Sequence, residues 1–398
     1  MKLSLCAIAK NESAFLPQCL NSVKDVVDEM VVLDTGSSDR TPEIARQLGA
    51  QVYHFDWNND FATARNESLK YATGDWVLVL DADETLAPEM IPEMKQAMET
   101  DRYLLINLVR QEIGATQSPY SLVSRLFRNH PDIRFEHPYH AMVDDSVTRI
   151  LQQEPDQWAV GSLAGVAILH SGYQPGTIAA RNKLETAKQI LEQYLSTHPD
   201  DAYTCSKLGA LYVQMGEVTR GMELLQLGLA VGDKLETPLR YELHYHLGIA
   251  YTRLSKISKA KAEYEAALQQ KMMLPLKLGA YNNLGNLLLE TGDLTGAIAV
   301  YQTILQIDPN LATAYFNLAL ALKQKGRIPE AIAAYKQAIE LQPDYAEAYQ
   351  NLGVTLLKAG NILEAMDAFK TAIGQYEQRQ SPAGEQLRQQ LTEMGFQV

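Results

Sequence analysis

The sequence predicts two folds in series: an α/β domain whose mostly parallel sheet carries helices on both faces, followed by an all-α superhelix of stacked helix pairs. Three observations carry that expectation. Short apolar runs alternate with helical patterns through the first part of the chain, a fixed period governs the second, and an acidic cluster stands directly behind one of the expected strands.

The first strand is Leu3 to Ala9, an apolar run that passes straight into polar Asn11 and Glu12 and is too short for a secretory signal. Met30 to Leu33, Val52 to Phe55 and Trp76 to Leu80 are the next three. A helix starts after Ser13 as its N-cap, a second follows Asp39-Arg40-Thr41-Pro42 and stops at Gly49, and a third runs from Phe61 to Tyr71 ahead of Gly74. Proline suits a first helical turn, where its missing N–H has no partner to lose, and glycine suits the left-handed stop. Strands and helices in this rhythm give parallel strands, and such sheets bind ligands beyond the strands' carboxyl ends. That rule singles out Ala9 to Glu12, Asp34 to Asp39 and Asp81 to Glu84.

From Asp201 onward the pattern becomes helix pairs. Leu284-Gly285, Leu318-Ala319 and Leu352-Gly353 recur every 34 residues, the tetratricopeptide period. The same copies place Gly292, Gly326 and Gly360 between helices, Ala297, Ala331 and Ala365 at a close-packing position, and Tyr301, Tyr335 and Phe369 beyond it. Two looser copies precede them at Leu208-Gly209 and Leu247-Gly248, offset by 39 and 37 residues. Each unit buries its apolar face only by stacking on the next. The expected organisation is an α/β domain over residues 1–175, a joining helix over 176–200, about five repeats over 201–376, and a final helix over 377–398 that caps the array.

Composition removes several alternatives. A 46% hydrophobic and 21% charged chain has the material for packed cores rather than disorder. A net charge of −13 without clustered Lys or Arg excludes a broad nucleic-acid face, because neutralising phosphates needs such clusters. Cys6, Cys19 and Cys205 match neither a zinc spacing nor a disulfide framework, so free thiols in a reducing compartment are expected. No stretch approaches the roughly 20 apolar residues of a membrane span, and the expected location is cytoplasmic.

The chemistry concentrates in Asp81-Ala82-Asp83-Glu84, behind the strand Trp76 to Leu80. Crowded carboxylates repel one another unless a cation is present, and hard oxygen ligands suit Mg²⁺ or Mn²⁺ bridging a diphosphate. Alternate residues of an extended segment share a face, so Asp81 and Asp83 can address one ion.

These residues, with Lys10-Asn11-Glu12, Val32-Leu33-Asp34-Thr35-Gly36-Ser37-Ser38-Asp39-Arg40-Thr41, Trp57-Asn58-Asn59-Asp60-Phe61-Ala62, Ala64-Arg65-Asn66 and Gly74-Asp75-Trp76, resemble the family 2 glycosyltransferases of the GT-A fold over residues 1–175. The resemblance implies a nucleotide-sugar donor, UDP-linked, contacted at Ala9, Glu12, Asp34, Arg65, Asp81 and Ala82. It also implies a Mn²⁺ or Mg²⁺ ion at Asp83, with Asp81 and His170 beside it. Many members carry a second Asp where this chain has Thr35, which leaves the base-reading group open. Arg65 resembles the arginine that contacts diphosphate or base; pairing with Asp60 or Asp34 is its structural alternative. His170 follows another apolar strand and either completes the metal shell, touches the diphosphate or caps the strand.

Members of this kind invert the anomeric centre, so a base must deprotonate the acceptor. Related proteins often read His-Glu where this chain has His140-Ala141. The candidates left are Glu136, His140 and Asp144, with Asp144 favoured because bases in the wider family are carboxylates downstream of the acidic motif; His137 reads as structural. The repeats point to a peptide or protein acceptor, since repeat arrays present an extended concave surface. A saccharide or lipid-linked acceptor with repeats that serve homo-oligomer formation, and an inactive scaffold marked by Ala141, stay open as alternatives.

Overall fold

The computed structural model describes residues 1–115, 118–171 and 178–396, with side chains from residue 184 onward in the helix that opens the third segment. Strands β1 (Leu3–Ala9), β2 (Glu29–Asp34), β3 (Gln51–His54) and β4 (Trp76–Val79) are linked by helices α1 (Leu16–Val23), α2 (Thr41–Gln47) and α3 (Phe61–Leu69). All four strands fall where the apolar runs predict them. There follow β5 (Glu84–Leu86), α4 (Ile91–Met98), β6 (Tyr103–Glu112), β7 (Tyr120–Arg128), α5 (Asp144–Gln153) and β8 (Ala159–His170).

The eight strands form one sheet in the order β3-β2-β1-β4-β7-β6-β8-β5. Its β3-β2-β1-β4 half is parallel throughout, as expected. The other half is mixed: β7 runs antiparallel to both β4 and β6, β6 and β8 are parallel, and β5 is antiparallel to β8. Without a crossover helix between them, consecutive strands such as β6 and β7 return antiparallel.

Period-two alternation sorts each strand between two cores. Leu3, Leu5, Ala7 and Ala9 of β1, with Trp76 and Leu78 of β4, join Leu16 and Leu20 of α1 and Met94 and Met98 of α4 on one face. Cys6, Val77 and Val79 face the other way, against Ala62 of α3 and Val147 and Ile150 of α5. Helices therefore cover both faces. Ser13 is not the cap of α1: that helix starts from Phe15, and the Ser13 amide donates to the Asp39 carboxylate at 3.2 Å. Asp60 does cap α3, its side chain accepting from the Thr63 amide at 3.0 Å.

The remaining helices are α6 (Ile178–Thr197), then the pairs α7 (Ala202–Met215) and α8 (Val218–Leu229), α9 (Thr237–Arg253) and α10 (Ile257–Leu268), α11 (Leu278–Glu290) and α12 (Leu294–Ile307), α13 (Ala312–Gln324) and α14 (Ile328–Leu341), α15 (Ala346–Lys358) and α16 (Ile362–Gln378), and finally α17 (Ala383–Glu393). The 34-residue period is geometric as well as textual. A Cβ on Gly285 would come within 2.8 Å of the Tyr301 ring, and one on Gly353 within 2.7 Å of Phe369, so the small residue and the aromatic are one packing unit. The joining helix expected over 176–200 begins beyond residues 172–177, which lie outside the described residues. The final helix begins at Ala383 rather than 377, because α16 continues to Gln378 and Gln380 takes a φ of 53° before Pro382. The chain divides into two compact units, residues 1–250 and 251–398. Among the described residues no helix is long and apolar enough to cross a membrane.

Candidate active site

The ends of β1 and β2 are tied together first. The Thr35 amide and hydroxyl both donate to the Ala9 carbonyl, at 2.9 and 3.2 Å. Asp34, 6% exposed, accepts from the amides of Gly36 and Ser37 at 3.3 and 3.2 Å, a tight turn that Gly36 permits at φ 95°. Asn11 reaches across, its amide donating to the Ser37 hydroxyl at 2.9 Å and its side-chain oxygen accepting from the Ser38 amide at 2.8 Å. The Glu12 amide donates to the Thr41 hydroxyl at 2.8 Å. Two of the segments singled out by the sequence therefore form one shelf. Thr35 is buried with its hydroxyl turned back to Ala9, so Asp34 is the carboxylate at this strand end. Ala9 and Ala82 are buried in the core, so neither offers a side-chain donor or acceptor.

Beside that shelf lies the acidic turn. The Asp81 amide donates to the Glu84 carboxylate at 2.8 Å and the Glu84 amide to the Asp81 carbonyl at 2.9 Å, which closes the four residues. Arg65 pairs with neither Asp60 nor Asp34. Its Nη2 donates to Asp81 Oδ1 at 2.6 Å, while Arg125 Nη2 donates to Asp81 Oδ2 at 3.0 Å. Both carboxylate oxygens are thus held by guanidinium groups, and although burial works against the charge, the two cations keep Asp81 far below the usual carboxylate range. Asn66, next to Arg65, exchanges two bonds with the backbone of Phe135, at 2.9 and 2.8 Å. The Ala64-Arg65-Asn66 block therefore binds both the motif and the loop opposite it.

A bulge aims Arg125. Ile106 pairs with Leu126 and Leu108 with Val123, so Asn107 of β6 faces two residues of β7, Ser124 and Arg125. Such an insertion re-aims side chains next to active sites. Here Arg125 goes to Asp81 and the Ser124 hydroxyl goes to Asp144, at 2.8 Å, within reach of Asn107 Oδ1 at 3.0 Å.

Further along, Arg110 grips fully buried Glu84 at 2.8 Å and Glu112 at 2.7 Å. Glu112 is hydrogen-bonded in turn to His170 Nδ1, and His170 Nε2 stands 3.2 Å from Asp83. Hydrogen bonds to Asp83 and Glu112 push the imidazole up to about 10. Asp83 and His170, 87 positions apart in sequence, thus face one another, while Asp81 is committed to its arginines. Among the described residues no group of three His, Cys, Asp or Glu side chains forms a ready cation cage. A divalent ion held by Asp83 and His170 would have to displace the hydrogen bond between them and the proton it keeps on the imidazole, and would take its other ligands from phosphate and water. A carboxylate behind the ring, as Glu112 is here, is what fixes the orientation of metal-binding histidines.

The acceptor side separates the three base candidates. Asp144 heads α5, and burial pushes its carboxyl up to about 6 against the Ser124 bond; its Oδ2 is buried without a protein partner. Glu136 is bound to Arg149, and its backbone bridges Met142 at 2.9 and 3.2 Å. His140 is exposed, at φ 55°, and its carbonyl accepts from the Tyr203 hydroxyl of α7 at 2.8 Å. His137 is structural as expected: at φ 66° and buried, it binds Asp145 at 2.8 Å, stands 3.7 Å from Asp201, and packs on Tyr203 and Tyr194. Phe61 bridges to this loop, its amide donating to the Pro138 carbonyl at 2.9 Å and its ring meeting Tyr139.

Residues 4–158 match the description Glycosyl transferase family 2, and residues 285–326, 320–360 and 346–378 match tetratricopeptide repeat descriptions. The chain is 46% identical over 293 residues to a TPR repeat-containing protein of Synechococcus elongatus, covering 74% of this chain and 72% of that protein. It is 33% identical over 205 residues to an uncharacterized glycosyltransferase of Rickettsia prowazekii, covering 48% of this chain and 69% of that protein. The chain belongs to glycosyl transferase family 2. With the prophage-derived glycosyltransferase SunS of Bacillus subtilis it shares 28% identity over 198 residues, covering 49% of this chain and 45% of that protein.

In this family 2 domain two side chains that border the acidic turn escape the sequence reading, Arg110 and Glu112. The run Ser124-Arg125-Leu126-Phe127-Arg128-Asn129 reads in sequence as part of the acceptor side, but nothing in that string announces the bulge that sends Arg125 to Asp81. Arg110 and Glu112 lie on β6, where alternation with Leu108 would read as an ordinary strand edge.

Proposed function

We propose that the protein transfers a hexose or N-acetylhexosamine from a UDP-sugar to a polypeptide acceptor, with inversion at the anomeric carbon. The observation that carries this is that adjacent residues of one bulge, Arg125 and Ser124, bind the acidic turn at Asp81 and the buried carboxyl group of Asp144. On the donor side the Asp34 shelf takes the ribose hydroxyls or base, as carboxylate oxygens accept such donors. Asp83 and His170 hold a Mn²⁺ or Mg²⁺ ion, which when bound offsets charge on the departing diphosphate. On the acceptor side Asp144 removes the proton of the attacking group. That group bonds to the anomeric carbon from the face opposite the diphosphate, and the carbon–oxygen bond to phosphate breaks with its electron pair leaving on the diphosphate. Ser124 holds Asp144 in place through its hydroxyl.

The polypeptide acceptor rests on the repeats and on one contact. Tyr203, in the first helix of the first pair, fastens the loop that leads into Asp144. An acceptor segment held by α7 therefore arrives beside the base.

Calorimetric titration of UDP, GDP and CDP, with and without Mn²⁺, tests the donor half. UDP is expected to bind more tightly with Mn²⁺ by about tenfold or more, and Asp83→Ala to erase that gain. Equal indifference of the wild type to all three nucleotides would sink the proposal.

A further inference from the structure

The compact unit that holds the eight-stranded sheet does not stop at β8. It runs to Ala250, so α7, α8 and most of α9 belong to it. Helix α5 is joined to the start of α9, the Thr148 hydroxyl donating to Glu236 at 3.3 Å. Between α7 and α9, Lys207 donates to Glu242 at 2.5 Å, and its ammonium stands 4.9 Å from the centre of the Tyr203 ring. Tyr203 is the residue whose hydroxyl holds the His140 carbonyl. The charges that act on these groups place them between the two halves of the candidate site. Lys207 and Glu242 act on His140 from the repeat helices and Arg110 and Arg125 from the donor side, while Tyr203 is acted on by both Glu242 and Asp144. His140 is exposed, yet enough protein surrounds it to push its imidazole down to about 4, which describes a side chain in the wall of a recess rather than on a convex surface. Burial also pushes His246, one turn beyond Glu242, down to about 4.

The recess is polar but carries no net charge of its own. Lys207 and Glu242 balance one another, and both imidazoles are neutral near pH 7. Among the described residues Lys207 uses one of its three N–H groups on Glu242, which receives it on one oxygen. With side chains 20% and 35% exposed, the pair keeps donors and an acceptor oxygen open to the recess. Donors and acceptors side by side without net charge fit hydroxyl groups, and fit a phosphate or a carboxylate poorly. The position agrees with that chemistry. In an inverting transfer the anomeric carbon lies between the diphosphate and the base, so the sugar occupies the space between the donor-side arginines and Asp144, and His140 and Tyr203 border that space. We propose that Lys207 and Glu242, with the neutral imidazole of His140, form the subsite that reads the hydroxyl groups of the transferred sugar. The inference rests on the donor reading above and deepens it, because the first repeat helices then complete the donor pocket as well as docking an acceptor. Glu242 accepts from one sugar hydroxyl and Lys207 donates to its neighbour. A sugar that lacks either hydroxyl, or carries it in the other configuration, leaves a partner unpaired, which is how such sites discriminate.

The test is calorimetry on the full chain with Mn²⁺, comparing UDP with UDP-glucose, UDP-galactose, UDP-N-acetylglucosamine and UDP-N-acetylgalactosamine. The preferred UDP-sugar is expected to bind Glu242→Gln and Lys207→Met about tenfold more weakly than the wild type, while UDP binds all three alike. Glu242→Gln keeps the shape and an oxygen for Lys207, and undiminished UDP binding shows that the fold is intact in either variant. UDP-sugars that bind variants and wild type equally would overturn the subsite, leave the donor reading standing and assign this wall to the acceptor. So would a wild type that binds UDP but none of the four sugars' conjugates. An equal loss of UDP and UDP-sugars in the variants would overturn the subsite too, since the pair would then be holding the fold. A wild type that binds none of the five nucleotides removes the donor reading, and the inference falls with it.

Discussion

The two rims of the cleft follow opposite electrostatic plans. On the donor rim charge meets charge: Asp81 lies between Arg65 and Arg125, Arg110 between Glu84 and Glu112, and His170 between Asp83 and Glu112. On the acceptor rim Asp144 meets a serine hydroxyl and little else, and burial lifts it to about 6. The contrast suits the proposed transfer. A rim that receives a multiply charged diphosphate must keep its charges fixed. A rim that takes a proton in every turnover must be able to change its own.

The largest effect expected from this contrast is at Asp144. Asp144→Asn keeps the shape and the Ser124 contact but cannot take a proton, so turnover should fall by about 10²–10⁴-fold while UDP affinity stays put. In the wild type the active form is the carboxylate, so the rate should rise with pH and level off above about 6. Stability should move the opposite way. A carboxyl group whose folded value is raised favours the fold while protonated, and that contribution is lost as pH climbs from the ordinary carboxylate range through about 6. A rate profile flat from pH 5 to 8, or a loss below about tenfold in Asp144→Asn, would put the base elsewhere.

Next in size is Asp81→Ala on the donor rim. Removing one partner of a fully buried pair costs about 3–5 kcal/mol; Asp81 is 33% exposed, which brings the expectation to about 1–3 kcal/mol even though two guanidinium groups are stranded together. Urea denaturation should register that loss. A cost under about 1 kcal/mol would mean that water reaches the arginines and that the clamp is not dry.

The same contrast explains what could be read from the sequence. The donor rim is legible because its carboxylates follow directly on strands: Asp34 closes β2, and Asp81 stands two residues beyond Val79 of β4. Once the apolar runs are recognised, these positions follow from the rule that ligands sit at strand ends. The pairing of Asp83 with His170 is less accessible, since it needs β8 beside β5, and only the resemblance to the family brings it forward. What escapes is set by tertiary register. The bulge opposite Asn107 has no local composition, so Arg125 looks like any strand arginine, and Arg65 has three aspartates of similar standing, Asp34, Asp60 and Asp81, until the sheet is assembled. Asp60 turns out to cap a helix and Asp34 to cap a turn. The repeats are legible for the converse reason. Each is specified by contacts within about 34 residues, as in Gly285 with Tyr301 and Gly353 with Phe369, and the pattern is written again in every copy.

The smallest effect expected is at Glu136, and it is the most exacting test of the acceptor rim. Glu136 shares the loop with His140 and precedes Asp144, so position alone would allow it to be the base. Its partner Arg149 is 55% exposed, however, and an ion pair in that setting contributes about 0–1 kcal/mol. The loop is held by the backbone bridge between Glu136 and Met142, which a side-chain substitution leaves in place. Glu136→Gln should therefore change turnover by less than about threefold and leave the pH profile where Asp144 puts it. A large loss in that variant, with the step near pH 6 gone, would make Glu136 the proton acceptor. The rim would then resemble its opposite, with a carboxylate that works while paired to a cation.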